Sequence, residues 1–194
     1  MNNLILLITW LLLFGACDQT KDQTGRQEQA SVLELTLQPD NEKQVIHNFG
    51  ASDAWSCQFV GKHWPLEKRR QIADLLFSTK MDEDDNPRGI GLSAWRFNIG
   101  GGSAGQGAES NIKDKWRRAE CFMNPDGSYN WNKQAGQRWF LKAAKKRGVE
   151  QFIGFVNSPP VNITKNGKAY SSGGNSANLP EKNYPEYAEF LAKV

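Results

Sequence analysis

The sequence predicts an α/β fold built from parallel strand–helix units, on three observations. Strand-like and helix-like segments alternate along the chain as strand, helix, strand, helix, strand, helix, the order that winds a parallel sheet. The strands are short and mostly apolar, as strands covered on both faces are. The long irregular segments all follow strands and precede helices, so they gather on one side of such a sheet.

Each element has its own warrant. Val32-Leu33-Glu34-Leu35-Thr36-Leu37 alternates imperfectly and reads as a strand ahead of the units. Residues 45–51 form a second short strand candidate. Pro65 opens a helix over Leu66 to Phe77, and Ile72, Leu75 and Leu76 mark its buried face. Asp82 to Pro87 is a polar turn, and Ile90 to Ile99 is the next strand. No clear period follows from Gly100 to about Trp131. Gln134 to Arg147 is a helix stopped by Gly148. Gln151 to Val156 is a short apolar strand, and Ser158 to Leu179 is a loop rich in Gly, Ser, Asn and Pro. Pro185 opens a last helix with Tyr187, Phe190, Leu191 and Val194 on its apolar side.

Composition narrows the function. The 194 residues are 39% hydrophobic and 23% charged, with a net charge of +3, which suits one globular domain with a core. The densest cationic run, Lys145-Lys146-Arg147, suits a helix C-terminus, and no basic block marks a nucleic-acid footprint. His47 and His63 stand apart, so no metal site is expected.

The N-terminus carries an export signal. Leu4 to Gly15 is apolar apart from Thr9, too short to span a bilayer and of signal-peptide length. Leu13-Phe14-Gly15-Ala16-Cys17 resembles the bacterial lipobox, with Phe14 where Leu is usual and no Lys or Arg in residues 1–3. The resemblance implies removal of residues 1–16 and a diacylglycerol on Cys17. The expected product is an exported, membrane-anchored lipoprotein, periplasmic or on the cell surface. An ordinary secretory signal with a chance cysteine is the alternative. Residues 17–31 read as a flexible tether, and 32–194 as the folded part. Cys57 and Cys121 are the candidate disulfide pair in an oxidising compartment, although spacing alone does not bring them within reach.

Several constellations carry chemistry. Gly100-Gly101-Gly102-Ser103-Ala104-Gly105 matches a dinucleotide fingerprint, with Glu120 twenty residues on. No apolar-periodic helix starts at its third glycine, so the glycines read as a tight turn and no cofactor is expected. In Gly91 to Ile99, alternation puts Leu92, Ala94, Arg96 and Asn98 on one face, and Trp95, Phe97 and Ile99 on the other. The large apolar set can pack on helices. An inward Arg96 calls for a carboxylate partner from another strand. Asp53 and Asn157 can hydrogen-bond sugar hydroxyls, and Trp55 can offer its face to a sugar ring.

Phe49-Gly50-Ala51-Ser52-Asp53-Ala54-Trp55, Trp95-Arg96-Phe97-Asn98-Ile99-Gly100, and Asn157-Ser158-Pro159-Pro160 with Thr164-Lys165-Asn166-Gly167 together resemble glycoside hydrolase family 30. Asn157 to Pro160 and Trp116-Arg117-Arg118-Ala119-Glu120-Cys121 bring the chain nearest its endo-β-1,6-galactanase-like branch. Val161-Asn162 departs from it, because many members have an aromatic there. The resemblance implies the N-terminal portion, about three units, of a (β/α)8 TIM barrel, with residues 32–37 belonging to a side β-domain. It implies retaining hydrolysis by two glutamates and a polysaccharide or oligosaccharide partner such as a galactan. Asp53, Trp55, Asn98 and Asn157 would line the sugar site, and Arg96 would orient the nucleophile.

A full barrel has eight units and typically about 250 residues. The family's Asn-Glu-Pro stretch is absent, and Glu109 and Glu120 sit in one loop. The expectation is therefore a truncated glycosidase, inactive alone and with no catalytic residue of its own. Alternatives are a non-catalytic carbohydrate-binding lipoprotein and a structural protein with no sugar role.

Overall fold

The computed structural model describes residues 33–173 and 176–194. The expected signal peptide, lipid-bearing Cys17 and tether lie outside the described residues. The chain divides into two units, 1–43 and 44–194. In the first, residues 33–38 form no strand, and a turn follows at Pro39-Asp40. Leu33, Leu35 and Leu37 are all exposed. The expected first strand is thus not formed, because alternation alone cannot hold a strand whose amides and carbonyls have no ladder.

The second unit holds the α/β architecture. Its elements are β1 (Gly50–Ser52), α1 (Ser56–His63), α2 (Leu66–Phe77), β2 (Ala94–Ile99), α3 (Ser103–Gln106), α4 (Ala135–Lys146), β3 (Gln151–Val156) and α5 (Tyr184–Lys193). The strands lie in the order β1-β2-β3 and both pairings are parallel, with helices in each connection. These are three successive βα units, with the strand ends that carry the βα loops all at one side.

Two elements begin later than their sequence suggests. β1 starts at Gly50, where pairing with Ala94 begins. β2 starts at Ala94 because the amides of Ile90 and Leu92 are spent on the carbonyls of Leu75 and Leu76 at the end of α2. α1 was not expected: it has eight residues and an internal Gly61, which weakens any helical signal. Its reason is packing. A Cβ on Gly61 would fall 2.2 Å from the carbonyl oxygen of Gly136, and one on Gly136 would fall 2.0 Å from that of Gln58. α1 and α4 therefore touch backbone to backbone.

The alternation along β2 sets the core. Trp95 joins Ala73, Phe77, Leu92, Phe140, Ala143, Ala144 and Val149 in a cluster under α2 and α4, and meets Phe77 edge to face at 4.9 Å. Phe97 and Ile99 join Phe122, Met123, Ile163 and Phe190 in a second cluster against α5. Fully burying one such side chain contributes about 1.5–3 kcal/mol.

Candidate functional site

The site is built where β1 and β2 end. Ser52 stands in register with Arg96, and Arg96 Nε donates to Ser52 Oγ at 3.0 Å. The Arg96 guanidinium lies 4.2 Å from the centre of the Phe155 ring on β3. No carboxylate reaches it within 4.0 Å among the described residues. The partner acid that the sequence calls for is not among them.

Asp53 continues β1 by other means. Its amide donates to the Arg96 carbonyl at 3.0 Å, and its Oδ1 accepts from the Asn98 amide at 2.9 Å. A side chain thus takes the place of a backbone acceptor at the strand end. Asp53 and Asn98 are 2% and 3% exposed. Asp53 Oδ2 and Asn98 Nδ2 find no hydrogen-bond partner among the described residues. Burial pushes the Asp53 carboxyl up to about 7, and the Asn98 amide and the Arg96 charge only partly offset it.

A cleft of about 290 Å³ is lined by Trp55, Gly101, Ser103, Arg117, Asn157 and Tyr170 among others, without Asp53 or Asn98. Trp55 and Asn157, far apart in sequence, come together here. The Arg117 guanidinium stands 4.9 Å from the Trp55 ring centre, so one aromatic face is already covered. A flat ring, a guanidinium, a carboxamide and a phenol together suit a hydroxyl-rich ligand. A larger cleft of about 650 Å³ runs beside it between residues 101–106 and the loop after β3, with Val161 and Asn162 in its lining.

In the Gly100–Gly105 run, Gly100 and Gly101 are closely packed and Gly102 turns the chain at a φ of +106°. A Cβ on Gly100 would fall 2.2 Å from the Glu120 carbonyl oxygen, and α3 is only four residues long. Glu120 accepts from Gln58 Nε2 at 3.1 Å and from the Gln134 amide, and it pairs with Lys62 at 3.6 Å. Glu109 is exposed in a short 3-10 turn.

Three buried glutamines went unnoticed in the sequence. Gln134 Nε2 donates to the Asn98 carbonyl and to Gln137 Oε1, each at 2.6 Å. Gln137 Nε2 donates to the Ala54 carbonyl at 2.7 Å. Gln58 Oε1 accepts from the Gly136 amide at 3.0 Å. Together they clip α1 and α4 to the ends of β1 and β2. The signal was there: Gln134 and Gln137 share the helical spacing of buried Phe140 and Ala144.

The candidate pair is unbridged: Cys57 and Cys121 are both free thiols. Cys57 packs against the cluster around Trp95, whereas Cys121 belongs to the one around Phe97. Burial pushes the Cys57 thiol up to about 12 and raises that of Cys121 as well, so neither is a reactive thiolate. Among the described residues no group of His, Cys, Asp and Glu has the arrangement of a metal site. No described helix is long and apolar enough to cross a membrane.

Comparison with known proteins is consistent with this geometry. The profile of O-Glycosyl hydrolase family 30 matches residues 32–194. An endo-beta-1,6-galactanase of Hypocrea rufa is 28% identical over 174 residues, 82% of this chain and 35% of that protein. The crystal structure of a conserved exported protein from Bacteroides fragilis superposes with a TM-score of 0.75 at 45% identity, over 80% of this chain and 32% of that one. The catalytic domain of a GH30 xylanase C from Talaromyces cellulolyticus, at 24% identity and a TM-score of 0.50, shares the fold over 80% of this chain and 34% of its own. The chain spans about a third of the length of these relatives.

Proposed function

We propose, from the premise that this chain belongs to O-glycosyl hydrolase family 30, that it carries the first part of the glycan-binding mouth of a retaining hydrolase of the endo-β-1,6-galactanase type. The observation that carries the reading is the cleft where Trp55 and Asn157 meet beside Arg117 and Tyr170, at the strand ends where βα folds bind ligands. The similarity to the Hypocrea rufa galactanase supports a β-1,6-linked galactan as the substrate class.

The chemistry divides in two. Asp53, Trp55, Asn98 and Asn157 hold the sugar and its surroundings. Arg96 waits on a carboxylate, and its half-buried charge, held by one hydroxyl and one ring face, would orient and keep ionised a nucleophilic glutamate placed against it. Retaining cleavage needs two carboxyls about 5 Å apart. Glu120 is engaged with Gln58, Gln134 and Lys62, so the pair has to come from further βα units. The chain alone then binds galactan without cutting it. Affinity electrophoresis in β-1,6-galactan should show retardation that Trp55→Ala abolishes, with no reducing sugar released. Release of reducing sugar by the purified full chain would sink the inactive reading.

The engagement of Glu120 also favours a second reading, a non-catalytic carbohydrate-binding lipoprotein. Co-expression with a polypeptide carrying the remaining units of a relative separates the two: hydrolysis restored supports the first, and binding without hydrolysis supports the second. Export is part of both. The signal peptide 1–16, lipidated Cys17, tether 17–31 and folded part 32–194 predict a diacylglycerol-bearing peptide beginning at Cys17, read by mass spectrometry of the mature protein.

A further inference from the structure

A second wide cleft lies away from the sugar mouth. It measures about 720 Å³ and runs between α2 and α4, where Arg70, Lys80, Arg88, Lys142, Lys146 and Arg147 line it with a single carboxylate, Asp74. Asp74 is already taken, because Arg147 Nε meets it at 2.8 Å. The other five cations form no ion pair within 4.0 Å among the described residues. Lys146 and Arg147 are explained in part by the end of α4, where a helix dipole favours cations. Arg70, Lys80 and Lys142 are not, and Arg88 also feels the Asp82 carboxylate. The acidic turn at residues 82–85 does not line the groove, and Asp82 spends its carboxylate on the amides of Asp84 and Asn86. Gathering like charges costs Coulomb energy, which a bound anion offsets.

Topology fixes which way the groove faces. Ser78 to Arg88 lead from α2 into β2, and Lys146 and Arg147 lead from α4 into β3. These connections sit at the N-terminal ends of the parallel strands. Trp55 and Asn157 follow the C-terminal ends of theirs.

We propose that this groove docks on anionic phospholipid headgroups, holding the strand mouth away from the bilayer. The proposal rests on the lipid anchor at Cys17 proposed above, which would keep the groove within reach of such a surface. An anionic leaflet attracts polybasic surfaces within roughly a Debye length. The test is an amine-acetylation footprint of the full chain on two vesicle types, phosphatidylcholine alone and phosphatidylcholine with about three parts in ten phosphatidylglycerol. Both take up an apolar N-terminus alike, so the difference between them reports on charge. Lys142 and Lys146 should be protected several-fold on the anionic vesicles only, while mouth-side Lys115 and Lys165 stay labelled. High salt should remove that protection. K142E/K146E, checked for unchanged circular dichroism, should bind both vesicle types equally. Equal labelling of Lys142 and Lys146 on both types overturns the proposal. So does protection of those lysines by soluble sulfated dextran but not by anionic vesicles. An unmodified Cys17 in the mature protein overturns the anchor instead, and the footprint still judges the groove.

Discussion

β2 and β3 lie side by side, run parallel and hold six residues each, yet β2 is buried everywhere except the half-buried Arg96, whereas β3 is exposed everywhere except the half-buried Val156. Apolar content does not separate them, since Phe152, Ile153 and Phe155 are as hydrophobic as Trp95, Phe97 and Ile99. What separates them is company. β2 has a strand on each edge and gives residues to both core clusters. β3 has one neighbouring strand among the described residues, and only Val156 packs against a cluster. Burial belongs to the arrangement of elements rather than to the strand, and an exposed apolar edge such as β3 is where a further strand adds most readily.

Substitutions can break or sharpen this contrast. The largest effect is expected on β2, where Trp95→Ala removes a ring 2% exposed and should lower stability by about 3–5 kcal/mol in urea unfolding. Next comes the pH dependence rooted beneath the end of β2. Folded Asp53 keeps its proton up to about 7, whereas unfolded it loses it near 3.8. The Asp53 contribution to stability is therefore fullest below about pH 4 and is lost as pH rises toward 7, by on the order of 2–4 kcal/mol. Asp53→Asn should flatten that slope; an unchanged slope would place the titration elsewhere. Gly61→Ala, which forces α1 and α4 apart beside the β2 core, should cost about 1–3 kcal/mol. On β3, Phe155→Ala should cost less than about 1 kcal/mol, and a cost equal to that of Trp95→Ala would erase the contrast. Smallest of all, a reductant should leave the melting temperature unchanged, since Cys57 and Cys121 are unbridged.

The contrast also explains what could be read from the sequence. α2, α4, β3 and the helix-facing alternation of β2 were legible because period and punctuation act locally. α1 was not, because Gly61 looks like a defect until Gly136 is brought against it. The ladder ends at Gly50 and Ala94 were not, because they depend on where Leu75 and Leu76 accept hydrogen bonds. Among the candidate sugar contacts, Trp55 and Asn157 do share a cleft. Asp53 and Asn98 are buried and do not line it, and the part of Arg117 was invisible because nothing local ties it to Trp55. Residues 33–37 misled because alternation describes a strand's faces without supplying its neighbour.

The segment from Gly100 to Glu120 has no period in its sequence, yet it is closed like a clasp. Ala104 N–H donates to the Ala119 carbonyl at 2.9 Å, Ala119 N–H donates to Ser103 Oγ at 3.0 Å, and Glu120 fastens the far end to α1 and α4. In the language of amide exchange the stretch is a ring, and a ring opens only when its fastening does. The amides of Ala104 and Ala119 should thus exchange with the slowness of the sheet rather than the speed of a loop. One wall of the cleft beside Trp55 would then keep its shape for as long as the α1–α4 contact holds.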